Sequence, residues 1–359
     1  MPALVLALNP SIDAEWRVAD VLWEEKNNVL SERRWAGGKG INVARWLQHL
    51  GGQPQLLLPL GGPTGAELAG YLRQENIPSR ILLLREPTRV NVIVTTSAGR
   101  QLRFNPLGPK LSRREWAEVL TSVERILKRI GEQTGGARHS VRAGMQRSPD
   151  GAPGVTCPAD LLILSGSLPR GVPVAAYAQL IRLAHRFGMR TLLDCDGPVF
   201  AAAIPARPFL VKPNEHELAQ WWRRPLRSTA EIVRAARALS DLTRGWVLVS
   251  RGSKRGLLVH HTEAFPFTVL PPHVKPRNTV GAGDALLAAV AWQIQLGRAP
   301  GQWLRPAVEI GTAATQCEPG QLPAVAPGRG RPGRASRPQR RRMLTAMCRR
   351  ESSRLAASK

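Results

Sequence analysis

The stretch that decides the fold is NTVGAGD, residues 278–284, which runs directly into an apolar, helix-like segment ending at Leu296. Small residues open that helix, where free backbone N–H groups and the helix dipole favour negative charge. Gly281, Ala282 and Gly283 therefore form a candidate anion hole for a transferring phosphoryl group. Asp284 stands where its carboxylate could take a proton from an attacking hydroxyl. An ordinary helix cap is the alternative interpretation.

A second glycine-rich helix start lies near the other end of the chain, at AGGKGINVA, residues 36–44. Its glycines, lysine and amide predict another anion-binding site. The GxxxxGK[ST] spacing of a Walker P-loop is absent, so any nucleotide must be held by a different architecture. We therefore assign this segment to the substrate, with a glycine-rich turn and a solvated lysine as the alternative.

Short apolar, β-prone runs alternate along the chain with segments whose apolar residues recur three or four positions apart. This alternation predicts an α/β fold with a mainly parallel central sheet and helices on both faces, a Rossmann-like three-layer sandwich. The predicted strands are 4–8, 55–60, 161–164, 191–193, 209–211 and 247–249. The predicted helices are 41–50, 66–74, 114–130, 173–187, 230–239 and 282–296.

Two segments break this rhythm, at about 13–35 and 89–104. In the second, Val90, Val92 and Val94 alternate with their neighbours, and residues 97–99 resemble a hairpin turn. We expect a small β lid that closes over a substrate and excludes competing water.

Composition divides the chain into one folded domain, 1–324, and a basic Arg/Pro/Gly-rich tail, 325–359. The tail has ten arginines and one lysine against one glutamate, which is +10 of the total +25. We therefore do not expect a nucleic-acid partner, except through the tail. Residues 131–158 lack apolar periodicity and predict a disordered insertion.

The remaining composition favours a cytoplasmic protein without a membrane partner. No apolar stretch approaches the roughly 20 residues of a membrane-spanning helix, and the first apolar run has no basic segment before it. The four cysteines are scattered, without zinc or disulfide spacing. Asp194 and Asp196 could suggest paired carboxylates, but Asp194 ends a strand before a turn, so we assign it a structural role.

The chain resembles the pfkB, or ribokinase-like, carbohydrate kinases, in particular their 1-phosphofructokinase and tagatose-6-phosphate kinase branch. The resemblance is carried, in the same order along the chain, by LNPSID at 8–13, GGKGINVA at 37–44, TRVN at 88–91, LSGSLPRG at 164–171 and VKPNEHE at 211–217, together with 278–284. It implies the ribokinase-like fold. Where such kinases usually carry Glu-Pro-Gly after Asn105, this chain has Pro106-Leu107-Gly108.

The resemblance also implies roles for individual residues. The substrate site would comprise Asp13, Gly38, Lys39, Asn42, Arg89, Asn91 and Arg103. Three of these, Lys39, Arg89 and Arg103, are cationic and suit a phosphate already on the substrate. The ATP site would comprise Asn214, Ser250, Gly252, Gly256 and Val280. Glu217 would help to hold Mg²⁺ through water.

The activity implied is ATP-dependent phosphorylation of a ketohexose phosphate, with fructose 1-phosphate as the first expectation and fructose 1,6-bisphosphate as the product. Fructose 6-phosphate and tagatose 6-phosphate are alternative substrates. The resemblance also allows a homodimer. A hypothesis of another class is a non-catalytic module of the same fold that binds nucleic acid through the basic tail.

Overall fold

A computed structural model describes residues 3–142 and 160–324, and the side chains of all of these except 133–142. The predicted tail at 325–359 lies outside the described residues. Contacts within the chain divide it into Met1–Ala326 and Pro327–Lys359, and every described residue belongs to the first unit. None of the described helices has both the length and the apolar composition needed to cross a membrane.

The strands of the described residues form two separate sheets. They are β1 (Ala3–Leu6), β2 (Ser11–Val18), β3 (Val29–Gly37), β4 (Pro54–Gly61), β5 (Ser79–Leu84), β6 (Arg89–Thr96), β7 (Gln101–Phe104), β8 (Leu161–Ser165), β9 (Arg190–Asp194), β10 (Leu210–Val211), β11 (Trp246–Val249), β12 (Gly256–Val259) and β13 (Phe267–Val269). The helices are α1 (Lys39–His49), α2 (Gly62–Gln74), α3 (Arg113–Arg142), α4 (Ala176–Arg186), α5 (Gly197–Ala203), α6 (Glu215–Trp222), α7 (Thr229–Thr243), α8 (Ala282–Gln295) and α9 (Leu304–Ala314).

The larger sheet has nine strands in the order β13-β12-β11-β10-β9-β8-β1-β4-β5. Only the β11-β12 and β12-β13 pairs are antiparallel. Its central strands are wholly buried because helices cover both faces, and β1 and β8 are accordingly apolar at nearly every position. The mainly parallel sheet predicted from the sequence is confirmed, and all six predicted strands belong to it.

Two apolar cores, one on each face of this sheet, complete a three-layer sandwich. Ala3 and Val5 of β1 point to the face covered by α1, α2, α8 and α9. Leu4 and Leu6, which alternate with them, point to the face covered by α3, α4, α5, α6 and α7. The predicted three-layer architecture is therefore confirmed.

The smaller sheet has four strands in the order β3-β2-β6-β7. β2 pairs antiparallel with β3 and parallel with β6, and a turn containing Gly99 joins β6 to β7. These strands fall within or next to the two segments predicted to form the lid. Residues 19–28, which lie between β2 and β3, form no strand.

The prediction of a disordered insertion from residue 131 was wrong for its first part. Helix α3 continues through Gly131 to Arg142, whereas residues 143–158 lie outside the described residues. Apolar periodicity reports burial of a helix face, but the backbone hydrogen bonds of a helix do not require it. Glutamate, glutamine, alanine and arginine in this stretch are good helix formers.

The topology brings several strand ends together at one edge of the large sheet. β4 lies on one side of β1, and β8, β9, β10 and β11 follow on the other side. The strand order therefore reverses at β1, and ligands of open α/β sheets bind outside the carboxyl ends of the strands at such a point.

Candidate active site

A cavity of about 680 Å³ opens at these carboxyl ends and is walled on its other side by residues of the lid. Several of its lining residues directly follow or end a parallel strand: Ala7 after β1, Ser165 at the end of β8, Asp194 at the end of β9, Lys212 after β10 and Ser250 after β11. The first turn of α1 and the start of α8 complete the wall. Elements far apart in sequence therefore converge on one space.

The start of α8 presents its backbone and one carboxylate to this cavity. Gly281 is the N-cap in the left-handed conformation, with φ of 80°, which costs a glycine little. Asp284, in the first turn, is 5% exposed yet lines the cavity. Its Oδ2 accepts a hydrogen bond of 2.8 Å from Nδ2 of Asn42 in α1. The two glycine-rich helix starts singled out from the sequence thus meet at this contact.

The protonation of Asp284 is set by opposing influences. Burial raises the pKa of its carboxyl group to about 7, and the negative charge of Asp194 acts in the same direction. The hydrogen bond from Asn42 and the charges of Lys39 and Lys212 lower it. A carboxyl group with a pKa near neutrality can accept and release a proton at physiological pH, as a general base must.

Two lysines converge on the carboxylate of Asp194, which is only 1% exposed. Nζ of Lys39 lies 3.2 Å from Oδ1, and Nζ of Lys212 lies 3.3 Å from Oδ2. Burial lowers the pKa of Lys39, but the nearby carboxylates of Asp194, Glu217 and Asp284 raise it, and the net result lies above the usual value. The ammonium group of Lys39 is therefore charged at the cavity wall.

Asp194 and Lys212 are the residues that the sequence analysis missed. Asp194 ends β9, as predicted, but that interpretation left out its contacts, because its two carboxylate oxygens face lysines in the cavity wall. Lys212 lies so close to the α8 start that a Cβ on Gly283 would be 3.3 Å from its Nζ. One signal was present in the sequence, since each residue stands at the carboxyl end of a predicted strand.

The lid contributes a second buried carboxylate, Asp13 of β2. Its Oδ1 accepts hydrogen bonds of 2.8 Å from both Ser11 and Asn91, the latter its register partner on β6. Burial raises the pKa of Asp13, although these hydrogen bonds oppose the change. On the other side, the carboxyl group occupies the space that a Cβ on Gly37 would need. Asp13 and Asn91 both line the cavity, as does Gly38.

Two arginines predicted to bind a phosphate also lie in the lid wall. Arg89 donates from Nη2 to the carbonyl oxygen of Asn9 at 2.9 Å and from Nη1 to that of Pro106 at 2.8 Å. Burial lowers the pKa of Arg89, while Asp13 raises it. Arg103 of β7 donates to Gln101 at 2.8 Å. Both arginines line the cavity, so Arg89 holds the 105–108 loop and also faces the candidate substrate.

Only some of the residues predicted to bind the nucleotide or its phosphoryl group line the cavity. Asn214, Glu217, Ser250 and Val280 line the cavity, but Gly252, Gly256 and Ala282 do not. Gly252 lies in an exposed turn, where an added Cβ would have no atom within 4 Å, and Gly256 opens β12 against Val308. The assignment of Gly252 and Gly256 to the ATP site stays a prediction, with a β-hairpin as the alternative role for these glycines.

A family model described as pfkB family carbohydrate kinase matches residues 9–131 and 157–326. The chain belongs to the pfkB family of carbohydrate kinases. The family resemblance inferred from the motifs is confirmed. The match leaves out residues 132–156, which fall wholly within the predicted insertion.

Known members of the pfkB family resemble this chain over most of its length. It is 32% identical over 313 residues to the ATP-dependent 6-phosphofructokinase isozyme 2 of Escherichia coli (strain K12), covering 86% of this chain and 91% of the relative. The structure of the tetrameric inhibited form of E. coli phosphofructokinase-2 matches with a TM-score of 0.75 at 30% identity, over 87% and 93% of the two chains. The crystal structure of that enzyme with fructose-6-phosphate matches with a TM-score of 0.71 at 30% identity, over 88% of this chain and 93% of the other.

The donor set of this pfkB kinase suits Mg²⁺ only with water and phosphate as further ligands. Glu217 and Asn214 form a capping box at the start of α6: Asn214 Oδ1 accepts from the Glu217 N–H at 2.9 Å, and Glu217 Oε2 accepts from the Asn214 N–H at 2.8 Å. One carboxylate oxygen of Glu217 stays available. Within 3–142 and 160–324 no cluster of three or more His, Cys, Asp or Glu side chains could hold a metal. Magnesium commonly keeps several waters, so this set fits.

Proposed function

We propose that this pfkB kinase transfers the γ-phosphoryl group of ATP to a hydroxyl of fructose 6-phosphate, which gives fructose 1,6-bisphosphate and ADP. The observation that supports this most is the position of Asp284, a buried carboxylate at a helix start and in the same cavity as the charged Lys39. A base, an anion-binding helix start and cations for a second phosphate are the parts that such a transfer needs.

In the proposed reaction, Asp284 accepts the proton of the substrate hydroxyl at one carboxylate oxygen while Asn42 holds the other. The hydroxyl oxygen forms a bond to the γ-phosphorus, and the bond from that phosphorus to the β,γ-bridging oxygen breaks. The electron pair leaves with ADP. N–H groups at the start of α8 face the negative charge on the migrating group.

In this proposal Lys212 binds the phosphates of ATP, and Lys39 binds the phosphate of the sugar. Lys212 lies beside Gly283 at the helix start, which suits the phosphates of ATP. Lys39, with Arg89 and Arg103 on the lid side, suits the phosphate that the sugar already carries. Asp13 and Asn91 offer an acceptor and an amide to sugar hydroxyls. Mg²⁺ would sit near Glu217 and offset phosphate charge when bound.

The choice of fructose 6-phosphate rests on the relatives. The motifs alone led us to expect fructose 1-phosphate, which yields the same bisphosphate. A relative 32% identical is a 6-phosphofructokinase, and a related structure was solved with fructose-6-phosphate. The related tetramer supports self-association, and we retain a homodimer as the minimal assembly. A cytoplasmic location remains a prediction.

The test is ADP release by the purified full chain with fructose 6-phosphate, fructose 1-phosphate, tagatose 6-phosphate, fructose and ribose. We expect the highest kcat/KM with fructose 6-phosphate and a bisphosphate product. Asp284→Asn should lower turnover by about 10²-fold to 10⁴-fold while ATP still binds. No release with any sugar, or an unimpaired Asp284→Asn, would overturn the proposal. Higher kcat/KM with fructose 1-phosphate would overturn the choice of substrate alone.

A further inference from the structure

An ion pair between Arg45 and Glu75, which no motif singled out, is connected through Asn42 to the candidate base, Asp284. Arg45 lies on α1 one turn after Asn42 and is 5% exposed. Its Nε and Nη2 donate to the two carboxylate oxygens of Glu75, the C-cap of α2, at 2.6 and 2.9 Å. Nη2 also donates to the carbonyl oxygen of Ala36 at 2.8 Å. The guanidinium is therefore fixed on two sides.

The remaining contact of this guanidinium points at the active site. Nη1 of Arg45 donates to Oδ1 of Asn42 at 2.9 Å, and Nδ2 of the same amide donates to Asp284 at 2.8 Å. An arginine has donors only, so the amide atom that faces it must be the oxygen. The NH₂ group is thereby directed at Asp284. Glu75, Arg45, Asn42 and Asp284 form one continuous chain of hydrogen bonds.

The orientation of this amide matters because its two ends have opposite effects on a carboxyl group. An NH₂ group stabilises the ionised form, whereas an oxygen can bond only to the protonated form. Without Arg45, the amide could turn over and present its oxygen. Asp284 would then hold its proton more tightly and act less well as an acceptor. The other charged groups that face Asp284 are Asp194 from β9, Lys39 from α1 and Lys212 from the segment after β10.

We propose that Arg45 and Glu75 are positioning residues that keep the Asn42 amide in the one orientation that donates to Asp284. Neither residue lines the main cavity. Their importance for turnover rests on the proposed function, but the orientation itself does not. It follows from the donor-only chemistry of arginine and from the bidentate carboxylate that holds it.

The experiment is a titration of the Asp284 carboxyl carbon by ¹³C NMR in the full chain labelled with [¹³C]aspartate, with Asp284→Asn to identify the resonance. The variants are Arg45→Met, Glu75→Gln, Asn42→Ala and the double variant Arg45→Met/Asn42→Ala. The control is Arg34→Met, because Arg34 makes a similar bidentate pair with Glu67 at 2.8 Å for both contacts. The pH profile of kcat is measured in parallel.

We expect the titration midpoint to rise by about 1 pH unit in Arg45→Met and in Asn42→Ala, since each variant loses a hydrogen bond that favours the ionised carboxylate. The double variant should rise no further than Asn42→Ala. Arg34→Met should leave the midpoint in place.

Glu75→Gln separates positioning from simple electrostatics and also serves if Arg45→Met fails to fold. Loss of a nearby negative charge by itself would lower the midpoint, whereas a loosened Arg45 should raise it. A lowered or unchanged midpoint in Glu75→Gln, or additive shifts in the double variant, would overturn the proposal. Absence of kinase activity in the wild-type chain would defeat the proposed function but leave this NMR result decisive.

Discussion

At the scale of single residues, the buried carboxyl group of Asp284 should make the folding stability depend on pH. Its pKa is about 7 in the folded chain, against a usual value near 4 in an unfolded one. Below pH 4 both states hold the proton, and as pH rises from 4 to 7 only the unfolded state releases it readily. Folding stability should therefore fall across this window and level off above it.

Replacement of Asp284 by asparagine should remove that loss, because the amide is neutral and its oxygen can still accept from Asn42. We expect a higher Tm for Asp284→Asn than for the wild type at pH 8, with a difference that shrinks toward pH 5. Scanning calorimetry at a series of pH values measures it. Asp241→Asn, at an exposed position on α7, is the matched control. A pH-independent difference would contradict the argument.

Replacement of Asp194 should change the pH dependence of catalysis. Its charge raises the pKa of Asp284 and compensates Lys39 and Lys212. In Asp194→Asn the acidic limb of the kcat pH profile should therefore move to lower pH. Asp196→Asn removes an exposed carboxylate two residues away and should move that limb less. An acidic limb that stays in place or moves to higher pH would contradict this account.

The sequence was sufficient for the site residues that belong to glycine-rich helix starts. Lys39, Asn42 and Asp284 stand in local patterns whose chemistry is legible without a structure. Asp194 and Lys212 were not recognised as partners because their meeting depends on β9 and β10 being neighbours. β9 and β10 are consecutive along the chain and in the sheet, but the contact between these two side chains is not visible in the local pattern of either strand.

At the scale of elements, the start of α8 depends on a backbone that only glycine adopts cheaply. An alanine at Gly281 would have its Cβ 3.7 Å from Asn42, an ordinary contact, so its cost lies in the φ of 80°. We expect Gly281→Ala to destabilise folding by about 1–2 kcal/mol and to lower kcat more than it raises KM. Urea unfolding and steady-state kinetics check this.

Gly70→Ala provides the control for that substitution. Gly70 lies within α2, where an added Cβ would come no closer than 3.9 Å to Arg73. Alanine is the better helix former by about 1 kcal/mol, so this variant should be at least as stable as the wild type. Equal destabilisation by both substitutions would exclude the backbone explanation.

The same scale shows where periodicity failed as a guide. It found the buried faces of α1, α4 and α8, which pack on the central sheet. It missed the extension of α3, because the backbone hydrogen bonds of a helix form without an apolar stripe. It also gave no sign that a strand, β12, begins at Gly256.

At the scale of the whole molecule, the described residues contain every side chain that the proposed reaction uses. The cavity is lined by residues between Ala7 and Asp284, so removal of 325–359 should leave kcat and both KM values within about twofold. Steady-state assays of the truncated and full chains decide this. If the tail binds nucleic acid, its affinity should fall steeply with salt and should vanish on truncation. Loss of kinase activity on truncation would contradict the expectation.

The close fit of Asp13 against Gly37 limits how this enzyme can change over evolutionary time. The carboxyl group fills the place of the missing methyl group, so a residue larger than glycine at 37 would force the Asp13 carboxyl group out of its present position. The two positions are locked as a pair across β2 and β3. A lineage could enlarge residue 37 only by displacing or replacing Asp13, and either change would cost the sugar contact proposed for it, so selection for activity would act on both positions together.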